Sequence, residues 1–321
     1  MIGKDCVCGN YNLLVILGPT ASGKTRLAAR VASRVGGEVI SADSRQVYRC
    51  MDLGTGKDYS DYWVGGKQVP VHLLDIVDAG YHYNVYEFQR DFLRVFRDIT
   101  QRGVFPLLCG GSGLYLEAVL QGYRLTEVPP DPVLRGQLEM LSQEELTARL
   151  ASLRPLHNRT DSETRKRTIR AIEIALYADA HPFEPNDYPQ LTPLVVGLLP
   201  DRETRRERIA RRLEERLGAG LIEEVQALLN RGISAEGLEY YGLEYKYVTR
   251  YLTGCDSFDA MKSQLTTAIC QFAKRQMTWF RRMERQGQVI HWIDPSTSID
   301  QQIDSVLRLL LPLEMSGADA K

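Results

Sequence analysis

The first unbroken hydrophobic run in the chain is LLVIL (13–17). A short apolar run without polar interruption marks a strand buried on both faces. Directly after it the spacing changes to three and four, with Leu27, Ala28, Val31, Ala32 and Val35, which predicts an amphipathic helix. The alternation then recurs. VIS (39–41), VHLLDI (71–76), VFPLLC (104–109) and LVVGLL (194–199) read as strands, and VIHWI (289–293) as a short terminal one. YEFQRDFLRVFRDI (86–99) puts Phe88, Phe92, Val95, Phe96 and Ile99 on one helical face. Strands alternating with helices predict an α/β fold on a parallel sheet.

Beyond residue 123 the pattern changes. VPPDP (128–132) interrupts the chain, and Leu134, Leu138, Leu141, Leu146, Leu150 and Leu153 mark short helices. TRKRTIRAIEIALY (164–177) predicts a longer helix, with Arg165, Lys166, Arg167 and Arg170 near its start; Pro182, Pro185, Pro189 and Pro193 close the segment. Residues 124–190 are therefore expected to form a helical insertion, with 1–123 and 191–321 as the core. The insertion's cations suit either a solvated face or contact with a phosphate backbone. In the core's second part, a predicted helix carries Arg202, Arg205, Arg206, Arg208, Arg211, Arg212 and Arg216 among Glu203, Glu207, Glu214 and Glu215, which suits i,i+4 pairing. Residues 256–285 predict a long helix with Leu265, Ile269, Phe272, Trp279 and Phe280 as its buried stripe.

Composition narrows the field. Hydrophobic residues make up 44% and charged ones 25% of 321 residues, the profile of an ordinary globular protein. Net charge is −1, so a nucleic-acid site would have to be a local patch. Cys6, Cys8, Cys50, Cys109, Cys255 and Cys270 form no disulfide or zinc framework, and reduced thiols suit the cytoplasm. MIGKDCVCGN lacks the pattern of a secretory signal. No apolar run approaches the ~18 residues of a membrane span. A cytoplasmic monomer is expected.

The chemistry begins at Gly18-Pro19-Thr20-Ala21-Ser22-Gly23-Lys24-Thr25. Glycines bounding a strand-to-helix turn let backbone N–H groups point inward as an anion cradle, reinforced by the helix N-terminus. Lys24 adds charge, and Thr25 is placed to ligate Mg²⁺. This is the phosphate loop of nucleotide- and ATP-binding proteins, and it does not itself specify which phosphate. Asp43 follows the second strand at the ligand edge of an open sheet, where it is either a catalytic carboxylate or a helix cap. Gly54 and Gly56 mark a loop. Asp75 imitates an ATPase metal site but equally suits a turn. Gly110-Gly111-Ser112-Gly113 is a second glycine-rich strand-to-helix turn. Lys274-Arg275-Gln276-Met277-Thr278-Trp279-Phe280-Arg281-Arg282 mixes cations with aromatics, either a solvated helix end or an RNA-tracking element.

GPTASGKT, SADSRQVYRCMDLGTGK, RGVFPLLCGGSGLYLEAVL, GLIEEV and KRQMTWFRR, in this order and spacing, resemble the tRNA dimethylallyltransferases over about residues 12–293. The resemblance implies a P-loop sheet with a tRNA-gripping helical insertion. It also implies transfer of a dimethylallyl group from dimethylallyl diphosphate to N6 of the adenosine 3′ of the anticodon. Carried over, Gly18 to Thr25 hold diphosphate with Mg²⁺ and Asp43 is the general base. Ser44, Arg45 and Gln46 line the adenosine channel, and Arg208 matches an arginine near the diphosphate. Lys166, Arg167 and Arg170, with Lys274, Arg275, Gln276, Thr278, Trp279 and Arg281, match tRNA-contacting segments. Ser112 stands where most members carry threonine, and its hydroxyl is expected to bond the diphosphate or Asp43. The usual H-P-x-D is replaced by His157-Asn158-Arg159-Thr160-Asp161, and GYKE by Tyr241-Gly242-Leu243-Glu244-Tyr245-Lys246. The alternatives are prenylation of free AMP, ADP or ATP, a P-loop kinase or NTPase using Asp75, and a non-catalytic RNA-binding module.

Overall fold

The computed structural model describes residues 10–153, 162–181 and 188–311. Cys6, Cys8, the segment from His157 to Asp161, Pro182, Pro185 and the C-terminal tail lie outside them. The chain runs β1 (Leu13–Leu17), α1 (Lys24–Val35), β2 (Glu38–Ala42), a hairpin of β3 (Trp63–Val64) and β4 (Lys67–Gln68), then β5 (Val71–His72), α2 (Val85–Gln101), β6 (Pro106–Gly110) and α3 (Gly113–Leu120). Next come α4 (Pro132–Leu138), α5 (Gln143–Leu153) and α6 (Arg165–Ala180). The chain ends with β7 (Pro193–Leu198), α7 (Arg202–Gly218), α8 (Leu221–Asn230), α9 (Ala235–Leu238), α10 (Leu243–Leu252), α11 (Phe258–Arg285), β8 (His291–Ile293) and α12 (Ile299–Leu310).

Six strands form one parallel sheet in the order β5-β2-β6-β1-β7-β8. Strand β1 sits inside it, and its alternating side chains divide between two cores. Leu13, Val15 and Leu17 join Phe88 and Phe92 of α2 and Leu265 and Ile269 of α11. Leu14 and Ile16 join Leu27 and Val31 of α1 and Ile303 and Val306 of α12. Both faces of β1 are thus covered, which is why it carries no polar residue. Among the described residues, no helix is long and apolar enough to cross a membrane.

Two sequence expectations change. VHLLDI (71–76) forms a strand only at Val71 and His72, because Leu73 and Asp75 turn into the left-handed region at φ 62° and 54°. That turn lets Asp75 pair with Lys57 and accept from the Tyr59 hydroxyl. The fully buried Lys57 ammonium also donates to Asp52 at 2.8 Å and to the Tyr48 carbonyl. Asp75 therefore neutralises a buried lysine. The second change is α12, a helix not expected from the sequence, whose apolar stripe closes the second core.

Residues 123–189 form a separate compact unit. Its core gathers Leu138, Leu146, Leu150, Ile169 and Ile172. At its centre the Glu173 side chain, 1% exposed, accepts from Arg135 at 2.7 and 2.8 Å, from Arg170 at 3.0 Å and from the Asp131 N–H at 3.0 Å. Four donors offset the cost of burying that carboxylate.

On β2, Glu38 accepts two hydrogen bonds from Arg102, at 2.6 and 2.7 Å, and faces His72 Nε2 at 2.8 Å. The Arg102 bonds hold its carboxyl at about 2, against an ordinary 4.5. A carboxylate depressed on folding stabilises the fold above its unfolded pKa and ceases to do so as pH falls through the folded one. Urea midpoints are expected to fall between pH 4.5 and about 2, and Glu38→Gln to flatten that part of the profile.

Candidate active site

Strands β2, β6 and β1 are neighbours, so the turns after their C-terminal ends meet at one rim of the sheet. That rim is where open α/β sheets take ligands. The turns line one cavity of about 370 Å³, a size suited to a small-molecule site. Thr20, Ala21, Ser22, Gly23, Lys24, Thr25, Asp43, Ser44, Arg45, Gln46, Ser112 and Gln276 all border it.

The loop after β1 gathers groups whose chemistry suits an anion. The Ser22 N–H donates to the Pro19 carbonyl at 3.3 Å, closing the turn. Gly23 caps α1 in the left-handed region at φ 88°, and Ala21 is also left-handed at φ 60°. The free N–H groups of the first helical turn open into the cavity. Lys24 Nζ has one hydrogen bond, to the Pro19 carbonyl at 3.4 Å. Burial lowers the pKa of Lys24, with the charges of Cys109 and Asp43 acting the other way. The Ser22 hydroxyl is buried without a partner among the described residues. A desolvated ammonium and an orphaned hydroxyl in one turn are both relieved by a bound phosphate.

The turn after β2 presents Asp43. Its Oδ1 accepts the Arg45 N–H at 3.0 Å, leaving Oδ2 without a hydrogen bond among the described residues. The Ser112 hydroxyl accepts the Ser44 N–H at 3.0 Å and lies 3.3 Å from the Ser44 hydroxyl. Ser112 therefore bonds Ser44 and not Asp43, and steadies the turn that carries Asp43. Gln46 is also spent on the frame, donating to the Gly56 carbonyl at 3.0 Å and facing the Ser41 hydroxyl at 3.3 Å. The Arg45 guanidinium lies over the Tyr240 ring, 4.8 Å from its centroid.

Gln276 takes an unexpected place. It was matched to a tRNA segment, yet it is 8% exposed and joins the two glycine turns. Its Oε1 accepts the Thr20 N–H at 2.9 Å and its Nε2 donates to the Gly111 carbonyl at 2.9 Å. A Cβ on Gly111 would lie 2.5 Å from that Nε2 and 3.1 Å from the Gly18 carbonyl oxygen, so a side chain there would push the Gln276 amide out of place.

The opposite wall holds residues that the sequence reading did not select. Arg208 does not line the cavity; its guanidinium reaches the Pro295 carbonyl at 3.5 Å. Arg212 and Arg216, one and two turns further along α7, line it instead. Arg212 donates to the Gly56 carbonyl at 3.2 Å and pairs with Asp58 at 2.6 Å. The Arg216 side chain is 12% exposed, lies 3.7 Å from Asp58 and 3.9 Å from Glu244, and keeps one buried nitrogen without a hydrogen bond among the described residues. Burial, then the like charge of Arg212, lowers the pKa of Arg216; burial raises that of Glu244. Ile209 and Leu213 face the core, and Arg208, Arg212 and Arg216 all lie beside that stripe, so the helical pattern alone does not separate them. Glu224 of α8 lies in the GLIEEV run, to which the sequence assigned no role. It accepts the N–H groups of Asp52, Leu53 and Gly54 at 2.8, 2.8 and 3.0 Å and the Tyr245 hydroxyl at 2.7 Å, fixing the loop that carries Gly56.

The remaining expected RNA contacts are distributed as follows. Lys274, Arg275, Thr278 and Arg281 are exposed on α11. Trp279 is half-buried, packed on Gly113 and covered by Arg282, whose guanidinium is 5.1 Å from its centroid. Within the insertion unit, Lys166 is exposed, Arg167 pairs with Glu163 at 2.6 Å, and Arg170 is engaged with Glu173 and the Val128 carbonyl.

Known proteins share this architecture and sequence. The family described as IPP transferase matches residues 46–283, and that described as isopentenyl transferase matches residues 11–74. The chain is 56% identical to tRNA dimethylallyltransferase 2 of Bacteroides fragilis over 94% of this chain and 98% of that protein. It is 54% identical to tRNA dimethylallyltransferase 1 of Parabacteroides distasonis, with the same coverage. The full-length tRNA isopentenylpyrophosphate transferase of Bacillus halodurans superposes with a TM-score of 0.68 at 31% identity, covering 94% of this chain and 95% of that one. A eukaryotic dimethylallyltransferase acting on tRNA shares the fold, with a TM-score of 0.76 at 20% identity, over 96% of this chain and 82% of that one. Matched over most of its length by the family pattern and by relatives more than half identical to it, the chain belongs to the tRNA dimethylallyltransferase (IPP transferase) family.

Proposed function

We propose that this chain transfers the dimethylallyl group of dimethylallyl diphosphate to N6 of the tRNA adenosine 3′-adjacent to the anticodon, releasing diphosphate. The observation that carries this reading is the shared cavity: an anion-binding turn and the free carboxylate oxygen of Asp43 border the same space. The engagement of Asp75 with Lys57 and Tyr59 leaves an ATPase-like metal role without support. Free thiols at Cys50, Cys109, Cys255 and Cys270 suit the cytoplasm, where tRNA is met.

An allylic diphosphate reacts when its departing charge is stabilised. The N–H groups of the phosphate loop, Lys24 and Arg212 are preset donors for that charge, and preorganised electrostatics of this kind is usually the largest catalytic contribution. As the bond from C1 to the bridging oxygen breaks, the allyl carbon gains cationic character and N6 bonds to it. N6 is a poor nucleophile because its lone pair is delocalised into the ring. It becomes acidic as the C–N bond forms, and Asp43 Oδ2 takes its proton. The base must leave the anticodon-loop stack to enter the cavity, which costs a few kcal/mol. Ser112, through Ser44, and Gln276 hold the two turns in register meanwhile.

The cavity also fits Mg²⁺. The Thr25 hydroxyl borders it with the carboxylates of Asp58 and Asp61, and among the described residues no cluster of three acidic, histidine or cysteine ligands forms a closed cage. Mg²⁺ commonly takes one or two protein ligands, with substrate phosphates and water completing its shell. Thr25 would hold the ion, which when bound shields the phosphates and stabilises the leaving diphosphate.

Purified protein with Mg²⁺, dimethylallyl diphosphate and unmodified tRNA is expected to yield a prenylated nucleoside by mass spectrometry, while AMP in place of tRNA yields none. Brisk cleavage of ATP with no use of the prenyl donor would overturn the proposal. Asp43→Asn is expected to lower kcat by ~10²–10⁴ with the donor KM little changed; full activity would remove Asp43 as the base. Arg212→Ala is expected to raise the donor KM by roughly ten- to a hundredfold, the value of hydrogen bonds to a charged group. Arg208→Ala should leave it near the natural value, and the reverse order would show that the arginines are misassigned.

A further inference from the structure

The proposed chemistry leaves one strongly charged surface unused. Arg202, Arg205 and Arg206 of α7 and Lys274 of α11 line an open groove of about 730 Å³ between these two helices. Their sequence neighbours Glu203 and Glu207 suggested ordinary pairing along the helix. The structure shows otherwise: among the described residues none of the four cations has an ion pair or side-chain hydrogen bond. Among the described residues the helix's ion pairs lie further along, at Arg211 with Glu215 (3.7 Å), Arg212 with Asp58 (2.6 Å), Glu214 with Lys262, and Arg216 with Asp58 and Glu244. Glu207 is the one carboxylate in the groove lining. Four unneutralised cations against one anion, in a chain of net charge −1, make a concentrated positive surface. Thr266 and Gln271 add neutral hydrogen-bonding groups along its floor.

The groove adjoins the catalytic cavity. Along α11, Ile269, Phe272 and Gln276 border the cavity while Cys270, Gln271 and Lys274 border the groove. The two sets interleave over about 10 Å of helix, at 1.5 Å per residue. A polymer with one residue seated in the cavity therefore has the groove within reach of its neighbouring residues. The lining offers no aromatic or large aliphatic anchor of the kind that dominates protein–protein interfaces. Unpaired guanidinium forks match phosphate oxygens in charge and geometry.

We propose that the α7–α11 groove binds the ribose-phosphate backbone of the tRNA whose adenosine enters the cavity, with Arg202, Arg205, Arg206 and Lys274 neutralising its phosphates. This inference rests on the tRNA-prenylation reading. It assigns to α7 an RNA-holding role separate from the diphosphate role of Arg212.

The test is the triple variant Arg202→Ala/Arg205→Ala/Arg206→Ala, measured against the natural chain and the triple lysine variant. Each phosphate contact removed lowers the slope of log affinity against log salt by ~0.7–0.9. The alanine variant is expected to show a slope shallower by about 2 and tRNA binding at least about tenfold weaker at 0.1 M salt. Its kcat at saturating tRNA and its donor KM should be unchanged, and the lysine variant should keep the natural slope. An unchanged slope in the alanine variant, or equal loss in both variants, overturns the proposal, as does equal competition by polyglutamate and RNA. Should the triple variant fail to fold, as read by circular dichroism, the single Arg206→Ala variant is expected to lower the slope by ~0.7–0.9, and no change there overturns it. Absence of prenylated product from the natural chain refutes the function reading instead, so the two failures are distinguishable.

Discussion

One primary amide fixes the two glycine turns against each other. Gln276 accepts from the Thr20 N–H and donates to the Gly111 carbonyl, two bonds that a carboxamide supplies together, since it carries an acceptor and a donor at one tip. Glutamate would lose the donor, and a hydrophobic residue would leave both backbone groups unpaired. The turn after β2 is tied in by Ser112 through Ser44, and the Gly56 loop by Gln46 and Glu224. The frame of the site therefore depends on neutral or fully satisfied polar groups. That arrangement leaves Lys24, part of Arg216 and one oxygen of Asp43 free for ligand.

The electrostatics of the cavity follow from the burial of its charged groups. Burial lowers the pKa values of Lys24 and Arg216 and raises those of Glu244 and Asp61. Each ion is thus held at a desolvation cost that a ligand of opposite charge relieves. Asp58, between Arg212 and Arg216, moderates their repulsion in the free protein. The same groups would cost little in open water, but there they would bind a diphosphate weakly.

Much of this was legible in the sequence because it is local. Residues 13–25 encode strand, turn and helix consecutively, and Asp43 directly follows its strand. The four longer central strands were found within two residues of their ends. The failures share a cause: each depended on partners distant in sequence. Asp75 bends out of its strand because a buried ammonium at Lys57 needs a counter-charge. Gln276 looked like part of an RNA-facing cationic stretch because its partners lie 256 and 165 residues away. Arg208 was chosen over Arg212 because no local pattern tells where a helix of 17 residues passes the Gly56 loop. The unpaired state of Arg205 and Arg206 was likewise invisible, since the glutamates beside them allow pairing without enforcing it.

The position of β1 has a consequence for how the protein comes into being. Its hydrogen-bonding neighbours are β6 at residues 106–110 and β7 at residues 193–198. A ribosome working at roughly 5–20 residues per second needs on the order of ten to forty seconds to extend the chain from the first strand to β7. During that interval five consecutive hydrophobic residues have at least one unfilled edge, and both until β6 is made, so the nascent chain is exposed to aberrant pairing and to capture by chaperones. The phosphate loop, anchored on that strand, matures late although it is translated early.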